Sequence, residues 1–309
     1  MSEKYEEPAA EPVPQGPSRR ARALVITGVV LVAALFALTG FAHFYTDRLW
    51  FDDLGYGSVF SRLLWTRIGL FAVAGLLMAL VVCGNIVVAY RSRPIFVSLP
   101  QQDNLDRYRE SLTPIRRVLL GGIAFLLLVF AGTSGASQWR QYLLWRNGGS
   151  FGEKDQYFGK DIGFFVFDLP FYHYLIDLVM AILVVSALAA ALTHYLYAGI
   201  RLQAPGERLT GAAQVQLSVL IGLFLIVKGV DYWFDRYDLV SQGGGLVTGI
   251  TYTDDNAVLP AKNILFGIAI ICGVLFLLNV WRRTWTLPSV GAALMAVSAV
   301  LLGLIWPGI

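Results

Sequence analysis

Cysteine, histidine and charge are all scarce in this sequence. Two cysteines and three histidines occur among 309 residues, and charged side chains make up only 15%. Two cysteines cannot build a disulfide framework, and neither sits in a CxxC. Cys83 and Cys272 both fall within apolar runs and are read as small packing residues, a bridge between spans being the alternative. No HExxH pair is present, and no Ser–His–Asp set or cysteine nucleophile beside a base can be assembled. The run Gly243-Gly244-Gly245 lacks the GK[ST] of a phosphate loop. Asp254, Asp255 and Asn256 miss the alternate spacing and the glycine of a calcium loop, so they are read as caps of a helix beginning near Pro260. A net charge of +3 is too small to argue for a nucleic-acid partner. Nothing here commits the chain to catalysis or to a cofactor.

Apolar residues are plentiful. They make up 56% of the chain, with mean hydropathy +0.61. A span needs about 20 apolar residues, and seven runs qualify: 23–44, 63–90, 118–137, 172–200, 209–230, 262–280 and 288–306. The expected fold is an all-α membrane protein, a bundle of about seven transmembrane helices with ordered extracytoplasmic loops. The first run begins after twenty-two residues, is too long for a signal-peptide core and lacks a small-residue cleavage site. Residues 1–22 form a cytoplasmic tail, expected to be disordered because residues 1–18 are rich in Pro and Glu and poor in apolar groups.

Charge sets the orientation. With the N-terminus inside, cytoplasmic segments hold fourteen of the 24 basic residues against eight acids, and outer segments hold ten against thirteen. Arg and Lys accumulate on the cytoplasmic side, so the N-terminus is placed inside and the C-terminus outside. The loop 91–117, with "RYRESLTPIRR", reads as positive-inside topology, or as a basic segment lying on lipid headgroups.

The outer loops are aromatic and acidic. "GKDIGFFVFDLPFY" (159–172) carries Phe164, Phe165, Phe167, Phe171 and Tyr172, which suit a membrane interface. Asp168 before Leu169-Pro170 reads as a helix start. Lys160, Asp161 and Gly163 are not required by an aromatic belt, and Lys160, Asp161 and Asp168 are expected to dock against the other outer loops, 45–60 and 231–260. Both of those contain Trp-Phe-Asp, at 50–52 and 233–235, which is either a trace of an internal repeat or a coincidence of aromatic-rich loops.

Polar groups within spans are expensive and therefore candidates for function. Arg67, Asp177 and Lys228 fall in the outer third, with Asp231 and Asp235 three and seven residues beyond Lys228. Two arrangements fit: a buried Asp177–Lys228 or Asp177–Arg67 pair, or cations that snorkel to the surface. His173 and Asp177, at i and i+4, would offer a metal two ligands, with His43 and Asp47 or Asp52 completing a set, but the pattern matches no known metal motif. His194 reads as an interfacial group at the inner helix end. The stripes Ala292, Ala296, Ala299, Gly303 and Ala33, Ala37, Gly40 read as close-packing seams.

"WFDDLGYGSVF", "FGKDIGFFVFDLPFY", "DRYDLV", "GITYTDDNAVLPA" and "RRTWTLPSVG", in that order over nearly all of 23–309, resemble the bacterial uncharacterised protein family (UPF) 0182. The resemblance implies a location in the bacterial cytoplasmic membrane. It also implies a seven-span bundle followed by a long extracytoplasmic region. This chain stops at "LIWPGI", so a fragment or a short relative is expected. The family supplies no catalytic residue to carry over. The expected function is a membrane platform anchoring an extracytoplasmic region or cell-envelope assembly. The alternatives are a transporter or lipid-handling protein using the outer charges, and an envelope enzyme with its chemistry beyond this chain. Membrane lipids are expected partners, together with envelope proteins or further copies of the chain.

Overall fold

The computed structural model describes residues 19–94, 114–201, 208–241, 243–244, 247–282 and 286–300. The tail 1–18, most of the basic loop and the last nine residues lie outside them. The helices are α1 (Arg19–Asp53), α2 (Gly57–Arg91), α3 (Arg116–Ser137), a short α4 (Trp139–Asn147), α5 (Leu169–Leu196), α6 (Gly211–Asp238), α7 (Leu259–Arg282) and α8 (Thr286–Val300). Two-residue strands β1 (Gly243–Gly244) and β2 (Val247–Thr248) pair between α6 and α7. Among the described residues, six helices are long and apolar enough to cross a membrane. The seventh expected span coincides with α8, of which 15 residues are described.

The chain divides into two units, Met1–Leu64 and Trp65–Ile309, with α2 running through the division. In the first, α1 ends in a Schellman turn: Tyr56 N–H bonds the Phe51 carbonyl at 2.8 Å and Gly55 N–H that of Asp52 at 3.1 Å. That turn requires a positive φ, and Gly55 supplies 77° without a Cβ penalty. Within this unit the stripe Ala33, Ala37, Gly40 is exposed, and a Cβ on Gly40 would meet nothing within 4 Å.

In the second unit α5 stands between partners. Ile182 joins Met78 and Val82 of α2 and Ala131 of α3 in one apolar cluster. Leu183 and Ala190 meet Leu220 of α6 in another, and Leu225 meets Cys272 and Phe276 of α7 in a third. Close seams lie between α2 and α3, where a Cβ on Gly75 would sit 2.6 Å from the Leu128 carbonyl, and between α6 and α7. A Cβ on Gly273 would sit 2.6 Å from Ile226 Cγ1 and 2.9 Å from the Gly222 carbonyl, so the two backbones nearly touch. Within lipid such contact is what holds spans together. In α8, Ala292 and Ala296 are exposed. Sequence spacing identified small residues but not which of them face a neighbour.

Helix starts differ most from expectation. The turns leading into α5 begin at Ile162, and those leading into α7 at Tyr252. Asp161, not Asp168, caps the first, its Oδ1 accepting from Gly163 N–H at 2.7 Å. Asp168 makes no cap bond. Thr251 caps the second. Its hydroxyl accepts from Asp254 N–H at 3.2 Å, and the Asp254 carboxylate accepts from Thr251 N–H at 2.9 Å, a reciprocal capping box. Asp254, Asp255 and Asn256 therefore lie inside the helical segment rather than before it.

Both segments then open into a π turn, Phe164–Asp168 and Asp254–Val258, immediately before Leu-Pro. Leu169 N–H bonds back to the Phe164 carbonyl, and Leu259 N–H to that of Asp254. The cause is the proline. Pro170 and Pro260 have no N–H, and their rings would strike the carbonyl four residues back, so the wider turn makes room.

Candidate functional site

One end of the second unit carries α4, the segment 148–163 and the stretch from α6 to α7. It is called here the α4 end. Four donors converge on the Asp161 carboxylate: the Ser150 hydroxyl, Phe151 N–H and Gly152 N–H (both 3.1 Å), and Gly163 N–H. These bonds hold its carboxyl below the ordinary aspartate range, the Ser150 hydroxyl contributing most. Asp155 does similar work within the segment, accepting from Tyr157 N–H at 2.9 Å and Phe158 N–H at 2.6 Å. The two carboxylates fold 148–163 on itself, since Gly and polar residues alone have no apolar core to order them.

Aromatic rings seat that segment on the bundle. Phe158, Phe164 and Phe165 pack edge-on against Tyr237 of α6, with centroids 5.0, 5.2 and 6.3 Å away. Tyr237 is 7% exposed and Phe171 5%, so these are core rings and not only an interfacial belt. Phe171 stacks on Trp145 of α4 at 4.8 Å. Beyond α6, the Asp255 carboxylate raises the pKa of the Tyr157 hydroxyl through a hydrogen bond. A cavity of about 260 Å³ opens between Trp145, Phe164, Phe167, Asp161 and Asp168.

Behind this layer lies a charged cluster. Lys228 Nζ is 2.5 Å from Asp231 Oδ2, and Lys262 Nζ of α7 is 3.1 Å from Asp235 Oδ2. His173 Nε2 of α5 stands 3.1 Å from Asp238 Oδ2. This buried nitrogen makes no hydrogen bond among the described residues. Ligand atoms of His173, Asp231 and Asp235 all lie within 4.8 Å of one another. Asp231 is 6% exposed. Arg236 turns aside, its guanidinium 3.3 Å above the Trp233 ring.

At the opposite end, α5 and α6 are joined through a bridge between Ile200 and Leu209. Here His194 is 1% exposed, a buried hub rather than an interfacial group. Its Nε2 is 3.0 Å from Gln216 Oε1 of α6. Tyr90 and Tyr197 meet edge-on nearby, with Arg93 over the Tyr90 ring at 4.2 Å.

The structure thus gathers His173, Lys228, Asp231 and Asp235 and leaves the other sequence candidates elsewhere. Asp177 is exposed and forms no pair with Lys228 or Arg67. The Arg67 guanidinium lies 5.1 Å from the Trp139 ring, and Lys160 Nζ 5.8 Å from that of Phe164. His43, Asp47 and Asp52 lie on α1 in the first unit, Asp52 3.9 Å from Arg48. Cys83 and Cys272 are free thiols. Two cluster members escaped the sequence reading. Asp238 continues the face of Asp231 and Asp235 at i+7 and was findable from that spacing. Lys262, on another helix, had no such signal.

An all-α membrane protein with an ordered aromatic and acidic layer over one end of its second unit is the class these features define. The family model of the uncharacterised protein family UPF0182 matches residues 24–309. Similar chains include UPF0182 proteins of Nocardioides sp. (62% identical, covering 100% of this chain and 31% of the relative). A Streptomyces coelicolor protein is 49% identical (95% and 30%), and one of Thermobifida fusca 43% (94% and 29%). This chain belongs to that family, and it spans about a third of the length of those curated relatives. No solved structure matches it.

Proposed function

We propose that this chain is the membrane platform of a larger protein, its α4 end facing outward to seat an extracytoplasmic region or cell-envelope assembly. The observation that carries this reading is the ordering of segment 148–163, folded around the Asp161 carboxylate and seated on α6 by Phe158 against Tyr237. A segment serving only as a connection has no need of such ordering, whereas a docking floor gains from being ordered before its partner arrives. The positive-inside distribution supports placing this end outside. The size of the relatives supports a further region to be seated.

The test uses the part of the Nocardioides relative outside the matched third, produced separately and titrated onto this chain in nanodiscs. Binding that weakens at least tenfold with Asp161→Lys is expected. No binding to the unaltered chain, or equal binding to a folded Asp161→Lys variant, would sink the reading. Transport is the second reading, favoured by one observation: Asp231, paired with Lys228, is buried within the bundle.

A further inference from the structure

We propose that His173, Asp231 and Asp235 form a binding site for a borderline divalent metal ion such as Zn²⁺ or Mn²⁺. The proposal needs no platform. One ligand atom from each residue lies within 4.8 Å of the other two. Bonds of 2.0–2.2 Å to imidazole and carboxylate place tetrahedral ligands about 3.4 Å apart, so closing on an ion takes at most about 1.4 Å of side-chain movement. Asp231 and Asp235 are one turn apart on α6, and His173 faces them from α5, so rigid elements carry all three.

The two lysines do not fill the site. Lys228 and Lys262 each engage an Oδ2, and among the described residues no hydrogen bond or ion pair occupies Oδ1 of either carboxylate. An ion can take the Oδ1 atoms while the lysines hold the opposite oxygens, as polar neighbours of metal-bound carboxylates ordinarily do. His173 adds an independent sign. Its Nε2 is buried and makes no hydrogen bond among the described residues; the Asp238 carboxylate, 3.1 Å from that same nitrogen, turns away when an ion takes it. Three aspartates against two lysines leave the cluster one negative charge in excess with the imidazole neutral. One nitrogen and several oxygens, with no thiolate, suit a borderline ion better than a soft one.

Protein stripped with chelator and exchanged into metal-free detergent buffer is titrated with Zn²⁺ by calorimetry and with Mn²⁺ by electron paramagnetic resonance. Manganese separates this site from the free thiols. One ion per chain is expected, with affinity at least tenfold weaker in His173→Gln and in Asp235→Asn and unchanged in His43→Ala. Each variant is first checked for folding by size exclusion. A metal-dependent rise in melting temperature should appear in the unaltered protein and vanish in both site variants. No stoichiometric binding, or unaltered binding in both folded variants, overturns the proposal and leaves a static ion-pair network.

Discussion

The Gln216 side-chain nitrogen donates to both oxygens of Asn85, the backbone carbonyl at 3.0 Å and the side-chain carbonyl at 3.1 Å, across 131 residues of sequence. This fixes the amide. With its nitrogen spent on α2, its oxygen faces His194, whose Nε2 must therefore carry a proton and donate. Helices α2, α5 and α6 are joined by one continuous chain of polar groups.

Ring ¹⁵N shifts of His194 should accordingly show a protonated Nε2 and a bare Nδ1 at neutral pH. Gln216→Leu strands both partners and should cost about 1 kcal/mol, typical of interhelical hydrogen bonds in membranes. A Nδ1–H tautomer would reverse the assigned amide direction.

The Asp161 carboxylate predicts an acid transition. Its folded pKa is depressed by the Ser150 hydroxyl and by the N–H groups of Gly163, Phe151 and Gly152. The order it confers is complete above the ordinary aspartate pKa of about 3.9 and is lost as pH falls through the lower folded value. The amide proton shifts of Phe151, Gly152 and Gly163 should therefore titrate together, with a midpoint below that ordinary value. In Asp161→Asn the common titration should vanish. A midpoint at or above the ordinary value would show that the four donors do not act on one carboxylate.

Two adjacent residues after α5 should respond in opposite senses. Ala198 holds a left-handed φ of 57°, so Ala198→Gly should stabilise by up to about 1 kcal/mol as the Cβ strain is removed. A Cβ on Gly199 would stand 2.7 Å from His194 Nδ1. Gly199→Ala should cost about 1–3 kcal/mol, as overpacking does. Melting temperatures of both variants in one detergent decide the matter; a stabilised Gly199→Ala would contradict the packing around His194.

Sequence reading reached the all-α membrane architecture and the family because apolar runs and ordered motifs are local signals. It misplaced the start of α5 because Asp168-Leu169-Pro170 imitates a cap, and the true cap, Asp161, lies behind a turn of aromatic residues. It placed His173 and Asp177 on one face by their i, i+4 spacing. Spacing carries no information about rotation toward a neighbour, however, and only His173 is turned to α6. The contacts His194–Gln216–Asn85 and Lys262–Asp235 join separate helices, and only the fold brings them together.

The paired π turns carry a consequence for how these chains vary in length. Nine positions separate the capping Asp161 from Pro170, and nine separate Thr251 from Pro260. Each widened turn is in effect one residue inserted into a regular helix. Loss or gain of a residue inside either interval, with the cap held in place, would rotate everything beyond it by about 100°. His173 would then leave the α6 face, and Lys262 would leave Asp235. Insertions and deletions among relatives should therefore spare these two intervals and accumulate in the connecting segments before them, where an added residue changes the path of the chain but not the rotation of a helix.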